Sequence, residues 1–167
     1  VRGVELDIDT VPLDDEVVYS MLRKGETTGV FQMESPGMRN LIKLLEHNQI
    51  AYTIVDKESC CGMPKFELGD LDAVEKHKNA NIPVLARYAK EGWAIVTAVP
   101  SCTLMFKQEI PLLFPDDADV KRVQAAMFDP FEYLMARHKD GLLKTDFKQP
   151  LGKVSYHIPC HGRVQKI

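Results

Sequence analysis

The chain has 167 residues and a formal net charge of -3, is 45% hydrophobic and 27% charged, and spreads its 21 Lys/Arg without a basic run. This composition suits a folded soluble chain of one domain or pieces of two, and excludes long disorder and a dedicated nucleic-acid surface, which needs clustered basic side chains. No apolar stretch approaches the roughly 20 residues that span a bilayer, and no basic-then-apolar signal opens the chain, so the expected location is cytoplasmic.

The first predicted element is a short helix from about Asp15 to Lys24. Pro12-Leu13-Asp14-Asp15 supplies the turn and cap, Val17, Val18, Met21 and Leu22 recur at helical spacing, and Gly25 ends the run. Gly29 to Met33 reads as a brief extended segment. Ser35 then caps an amphipathic helix carrying Met38, Leu41, Ile42, Leu44 and Leu45. Ala51-Tyr-Thr-Ile-Val55 alternates like a strand and leads into Cys60-Cys61-Gly62. Helices are expected over Asp70–Asn79 and Pro83–Glu91, the second ending at Gly92, and Trp93 to Val99 is a near-continuous apolar strand of the buried parallel type. Further helices are expected over Thr103–Leu113, Asp119–Met127 and Pro130–His138. A last strand, Val154 to Ile158, precedes Cys160.

The opening residues resemble a known family. Leu6-Asp-Ile-Asp-Thr-Val-Pro-Leu-Asp-Asp15, Glu26-Thr-Thr-Gly-Val-Phe-Gln-Met-Glu-Ser35 and Gly37-Met38-Arg39 resemble the replicative bacterial DNA polymerase III alpha subunit. That family's metal-binding carboxylates lie upstream of this stretch, so Asp7, Asp9, Asp14 and Asp15 are read as strand-end and helix-cap carboxylates. Near residue 44 the character of the sequence changes without a Gly/Ser/Pro linker. Two regions are therefore expected, a polymerase-like fragment over residues 1–44 and a second domain over residues 45–167. With Val1 in place of Met, and Ile167 following closely on Cys160, both ends are expected to be cut.

All four cysteines fall in the second region, and each follows a predicted strand at a strand-to-helix turn. Such turns converge at one edge of a parallel sheet, where helix N-termini stabilise thiolates, so Cys60, Cys61, Cys102 and Cys160 are the candidate iron–sulfur ligands. A disulfide between neighbours is disfavoured, and the spacing fits no compact zinc pattern. His157 and His161 bracket Cys160, but Pro159 works against a shared helical face. His47, His77 and His138 are expected to be solvated, Lys65, Lys107, Arg137 and Arg163 to be ordinary surface, and Met33, Met38, Met105, Met127 and Met135 to pack in cores. Ser101-Cys102 lacks the glycine elbow of a nucleophile turn, so no catalytic residue is assigned.

Cys60-Cys-Gly-Met-Pro-Lys-Phe-Glu-Leu-Gly-Asp-Leu71, Val99-Pro-Ser-Cys-Thr-Leu-Met-Phe-Lys-Gln-Glu109, Leu113-Phe-Pro-Asp-Asp117, Phe128-Asp-Pro-Phe-Glu-Tyr-Leu134 and Tyr156-His-Ile-Pro-Cys-His161 resemble the cysteine-rich CCG domain. That domain occurs in the heterodisulfide reductase B family, in glycolate oxidase iron–sulfur subunits and, the nearest likeness, in the iron–sulfur subunits of anaerobic glycerol-3-phosphate dehydrogenases. The resemblance implies an α/β fold, a partial parallel-sheet CCG domain preceded by a short α-rich segment. It implies a non-catalytic electron-transfer subunit of an oxidoreductase in anaerobic respiration, with an iron–sulfur cluster of the 4Fe-4S type on Cys60, Cys61, Cys102 and Cys160. The implied partners are flavin-containing dehydrogenase subunits and, indirectly, membrane quinone, with no nucleic acid for the main domain and a peripheral place on the inner face of the cytoplasmic membrane. Met105 stands where some relatives complete a C-x-x-C, and the first family cysteine is replaced by polymerase-like sequence. The alternatives are a DNA polymerase III alpha fragment without its catalytic carboxylates, or an inactive chimeric chain that assembles no cluster.

Overall fold

A computed structural model of the chain describes residues 16–17, 20–21, 36–55, 59–146, 152–153, 155 and 157–164. The predicted helix over residues 15–24, the extended segment at 29–33, Asp7, Asp9, Asp14 and Asp15, and the side chains of Met33 and Met38 lie wholly or largely outside them. The chain divides into two compact units, residues 1–51 and 52–167.

In the first unit, helix α1 spans Pro36–His47 and buries Ile42, with Leu41, Leu44 and Leu45 half-buried beside it. Its end is a Schellman turn: Ile50 N–H donates to Leu45 O at 2.9 Å and Gln49 N–H to Glu46 O at 2.9 Å. The left-handed position this turn requires is filled by Gln49 at φ 56, where glycine is usual. Asn48, itself buried, holds the same turn by donating its side-chain amide to Leu44 O at 2.9 Å.

The second unit is mostly helical: α2 (Met63–Glu67), α3 (Leu71–Lys90), β1 (Ile95–Val96), α4 (Pro100–Leu104), a π-helical turn (Met105–Glu109), α5 (Ile110–Leu113), α6 (Ala118–Ala126), β2 (Met127–Phe128), α7 (Pro130–Lys139) and α8 (Cys160–Val164). Strands β1 and β2 pair in parallel, Ile95 with Met127 and Val96 with Phe128. The core joins Val74, Ile82, Leu85 and Ala86 of α3 to Leu104, Met105, Phe106, Ile110, Val120, Val123 and Met127. Ala51–Val55, predicted as a strand, is irregular and partly exposed: alternation supplies a surface for pairing, and no neighbouring strand among the described residues offers one. The predicted strand at Trp93–Val99 narrows to two residues. The strand expected at Val154–Ile158 lies partly outside the described residues and shows no strand in the rest. Met127 and Phe128, expected at a helix end, form the second strand instead.

Two expected helices merge. Pro83 sits inside α3, where it removes one intrahelical N–H, yet the buried stretch Ile82, Leu85, Ala86 carries the helix through to Lys90. Gly92, at φ 87, then closes it as expected.

A second proline explains the π-helical turn. Pro111 has no N–H to give the carbonyl four residues back, that of Lys107. Gln124 of α6 takes its place, donating Nε2–H to Lys107 O at 2.7 Å. Lys107 itself forms both oxygen contacts with Glu132 (2.7 and 2.6 Å), and Glu132 also completes the capping box of α7 with Asp129. Nearby, Asp117 caps α6 through the N–H groups of Asp119 and Val120 and receives the buried Lys78 ammonium at 3.2 Å. The Val120 N–H, ahead of Lys78, draws the Asp117 carboxyl below its usual pKa. Replacing Gln124 by Ala strands the Lys107 carbonyl, and urea unfolding is expected to show a loss of about 1–2 kcal/mol.

Candidate functional site

The cysteine loop is held from α3. Asn81, 4% exposed in the middle of that helix, accepts from Ser59 N–H at 2.8 Å and donates from Nδ2 to Cys60 O at 2.9 Å. One turn earlier His77 meets Ser59 Oγ at 3.2 Å through Nδ1. Residues 77 and 81 stand four apart, on one helix face, so both reach the same loop. Gly62 then turns the chain into α2 at φ 91, a conformation other residues resist, with His77 Cβ and Met105 Cε within 4 Å of where a side chain would begin.

A second turn supplies the facing thiol. Thr97 Oγ1 and the fully buried Thr103 Oγ1 lie 2.6 Å apart, and Thr103 also reaches the carbonyls of Thr97 (3.3 Å) and Val99 (3.4 Å). These bonds tie the end of β1 to α4, which Pro100 opens and whose first turn carries Cys102.

Cys61 is buried, Cys102 half-buried, and Cys60 exposed. Cys102 is the main influence on the Cys61 thiol, with the backbone N–H groups of Met63 and Cys61 and the Cys60 side chain acting in the same direction. The Cys102 contact above all lowers the Cys61 pKa to about 6 against the opposing effect of burial, so Cys61 carries a thiolate at neutral pH. Cys102 moves the other way, its pKa raised by that same bond and then by burial, and it remains a thiol. The two thiols titrate as a coupled pair whose shifts run in opposite directions.

Of the four expected ligands, Cys60 and Cys61 lie on the loop held by Asn81 and Cys102 on the turn after β1, with Cys61 in the core and Cys102 packed against it. Cys160 is exposed at the start of α8, a helix that packs against α4, and His161 beside it faces Glu67 of α2 at 3.9 Å. No group of three or more His, Cys, Asp or Glu among the described residues is arranged to hold a metal ion. His77, expected to be solvated, is a loop anchor. Lys107, expected to be surface, is half-buried against Glu132, and Met135, expected in the core, is 52% exposed, whereas Met105 and Met127 are buried. Ser59 and Asn81 were not singled out by the sequence. A polar Asn one residue before Ile82, on the stripe that continues to Leu85, is the signal that could have found the clamp.

Residues 1–57 match the family model of the bacterial DNA polymerase III alpha subunit finger domain. Among curated proteins, the chain is 56% identical over 46 residues to the DNA polymerase III subunit alpha of Pseudomonas aeruginosa (strain PAO1), covering 27% of this chain. It is 46% identical over 44 residues, 26% of this chain, to that of Staphylococcus aureus (strain Mu50). The match spans 4% of the length of either relative. No solved structure matches the chain significantly.

These findings correct three expectations. The iron–sulfur cluster assigned to Cys60, Cys61, Cys102 and Cys160 is overturned: the matches are to a polymerase, and the thiols lie in no metal-holding group among the described residues. Physically, a four-iron cluster draws on four thiolates, whereas Cys160 stands exposed at the start of α8, apart from the loop that carries Cys60 and Cys61. The electron-transfer and oxidoreductase-subunit role falls with it. Flavin-containing dehydrogenase subunits and membrane quinone as partners, and the exclusion of nucleic acid, are likewise overturned by the polymerase matches. No helix among the described residues is long and apolar enough to cross a membrane.

The clamp has a measurable consequence. Asn81→Ala leaves the Ser59 N–H and Cys60 carbonyl without their partner, and a stability loss of about 1–3 kcal/mol is expected in urea. In the same variant Cys61 alkylation by iodoacetamide should speed up several-fold while Cys160 is unchanged. Unaltered Cys61 protection would show that the loop does not depend on Asn81.

Proposed function

We infer that the chain carries part of the finger region of a replicative DNA polymerase III alpha subunit, and that its functional ties are to DNA and to the replication assembly. The observation that carries this reading is the family match over residues 1–57, supported by the two polymerase relatives. No polymerase carboxylate is assigned on this stretch, so nucleotide transfer is not ascribed to the chain by itself. Residues 58–167 lie beyond that match and carry the thiol site.

Electrostatics limits what the segment does alone. Residues 1–57 hold six basic side chains (Arg2, Arg23, Lys24, Arg39, Lys43 and Lys57) against ten Asp/Glu. A net acidic segment attracts phosphate only through local basic positions. Arg39 and Lys43 are the pair on the described helix α1, four residues apart and so on one face, with Lys43 exposed. The finger segment therefore contributes to DNA handling as part of a larger surface.

Fluorescence anisotropy with a labelled primer–template duplex over a salt series tests this. Binding is expected in the weak non-specific range, Kd about 10⁻⁴ M or weaker, falling with salt and falling further in Arg39→Glu/Lys43→Glu. No nucleotide incorporation is expected with magnesium present. Absence of binding at the lowest salt, or binding indifferent to both salt and the double substitution, would remove the DNA reading.

A further inference from the structure

We propose that the outer edge of β1 is a docking site for an extended polypeptide segment of a partner, which adds to the sheet as a third strand. The site lies in the second unit, beyond the residues matched to the polymerase, and stands independently of that reading.

Successive residues of a parallel strand turn their backbone N–H and C=O groups alternately toward one side and the other. Thr97 N–H donates to Phe128 O at 3.3 Å, with Ile95 paired to Met127 and Val96 to Phe128. Ile95 and Thr97 therefore face β2, and the N–H and C=O of Val96 face the opposite side. Among the described residues no backbone group takes either of them, and the sheet has no strand beyond β1. Val96 is half-buried between the exposed Ala94 and Ala98, so this edge is open to solvent. At β2 the corresponding outward N–H, that of Met127, is already given to Gln124 O. The open donor is thus confined to β1.

The chemistry of the edge selects its occupant. A donor and an acceptor presented together by an extended backbone are matched by the backbone of another strand. Nucleic acid is disfavoured, because Trp93–Val99 carries no basic side chain to meet phosphate. Natural edge strands discourage pairing with lysine, proline or inward charges, and Trp93–Val99 holds none of these. Parallel sheets are also ordinarily covered and rarely stop at two strands. The side chains define the segment further. Ile95 is buried on one face of β1 while Ala94 and Ala98 are exposed on the other. An added strand therefore alternates apolar residues on the Ile95 face with polar residues on the wet one.

The test follows backbone amide exchange in the nitrogen-15-labelled full chain by nuclear magnetic resonance, without and with an acetylated peptide of alternating valine and threonine. In the free chain the Val96 amide should exchange fast and the Thr97 amide slowly. Saturating peptide should slow Val96 several-fold and leave Val74 in α3 unchanged. Two further peptides, N-methylated at the valines or at the threonines, separate strand pairing from general stickiness. A docked strand turns only one set of its N–H groups toward β1, so one of the two must lose the effect. None of these measurements needs a variant to fold. Slow Val96 exchange in the free monomer would mean that the chain's own residues, such as Ala51–Val55, cover the edge. Protection that appears only with self-association would make the occupant a second copy. Val96 exchange indifferent to the peptide, or slowed equally after either methylation, would mean that no strand docks there. Each of these results overturns the proposal.

Discussion

Asn81 ties the second unit's chemistry to its core. Its side chain is buried among the apolar residues of α3, where an unpaired amide would be costly, and it satisfies one backbone donor and one backbone acceptor of the Ser59–Cys60 loop. The same helix supplies His77 to that loop, Lys78 to Asp117 and the Phe114 ring, and Val74, Ile82, Leu85 and Ala86 to the core. Cys61 is therefore presented from a loop that cannot shift without unpairing polar groups at the centre of the unit. Cys102 is held by an equally constrained turn on the threonine pair.

The helical stretch from Pro100 to Leu113 shows how a local defect is absorbed. Pro111 forbids a regular hydrogen bond to Lys107, the backbone widens to π geometry, and the orphaned carbonyl is taken by Gln124 from the neighbouring helix. Lys107, carried on the same turn, reaches Glu132 and so connects the start of α7 to the π segment. The defect becomes a joint between α6, α7 and the helix bearing Cys102, through bonds that an unbroken helix would have kept to itself.

Helix positions were the most legible part of the sequence, because their signals are local: the proline at the start of α7 and Gly92 after α3. Strands were legible only where burial was continuous. The core of Trp93–Val99 survives as Ile95–Val96, while Ala51–Val55 alternates without a strand beside it, and pairing is non-local information that a period-two pattern does not contain. The place of Cys102 at a turn after a strand was legible in the sequence, but the contacts that fix the cysteine loop were not. The loop and the turn that carry the thiols are set by Asn81 and Thr103 through contacts that no local pattern records. Met135 was misplaced for a simpler reason: helical spacing marks a face, and the face of α7 that carries Phe131 and Met135 is exposed.

The polymerase-matched residues lie mainly in the first compact unit and the thiols in the second, where the Cys61 thiol is drawn down to about 6 as that of Cys102 is raised. The most direct measurement is a pH titration of the chain with carbon-13 at cysteine Cβ, followed by nuclear magnetic resonance under reducing conditions. The expected result is a Cys61 resonance in the thiolate position at neutral pH, moving with a midpoint of about 6 and carrying a linked displacement at Cys102. If Cys61 remains a thiol through neutral pH and titrates independently of Cys102 near the ordinary value of 9.0, the coupled pair does not exist.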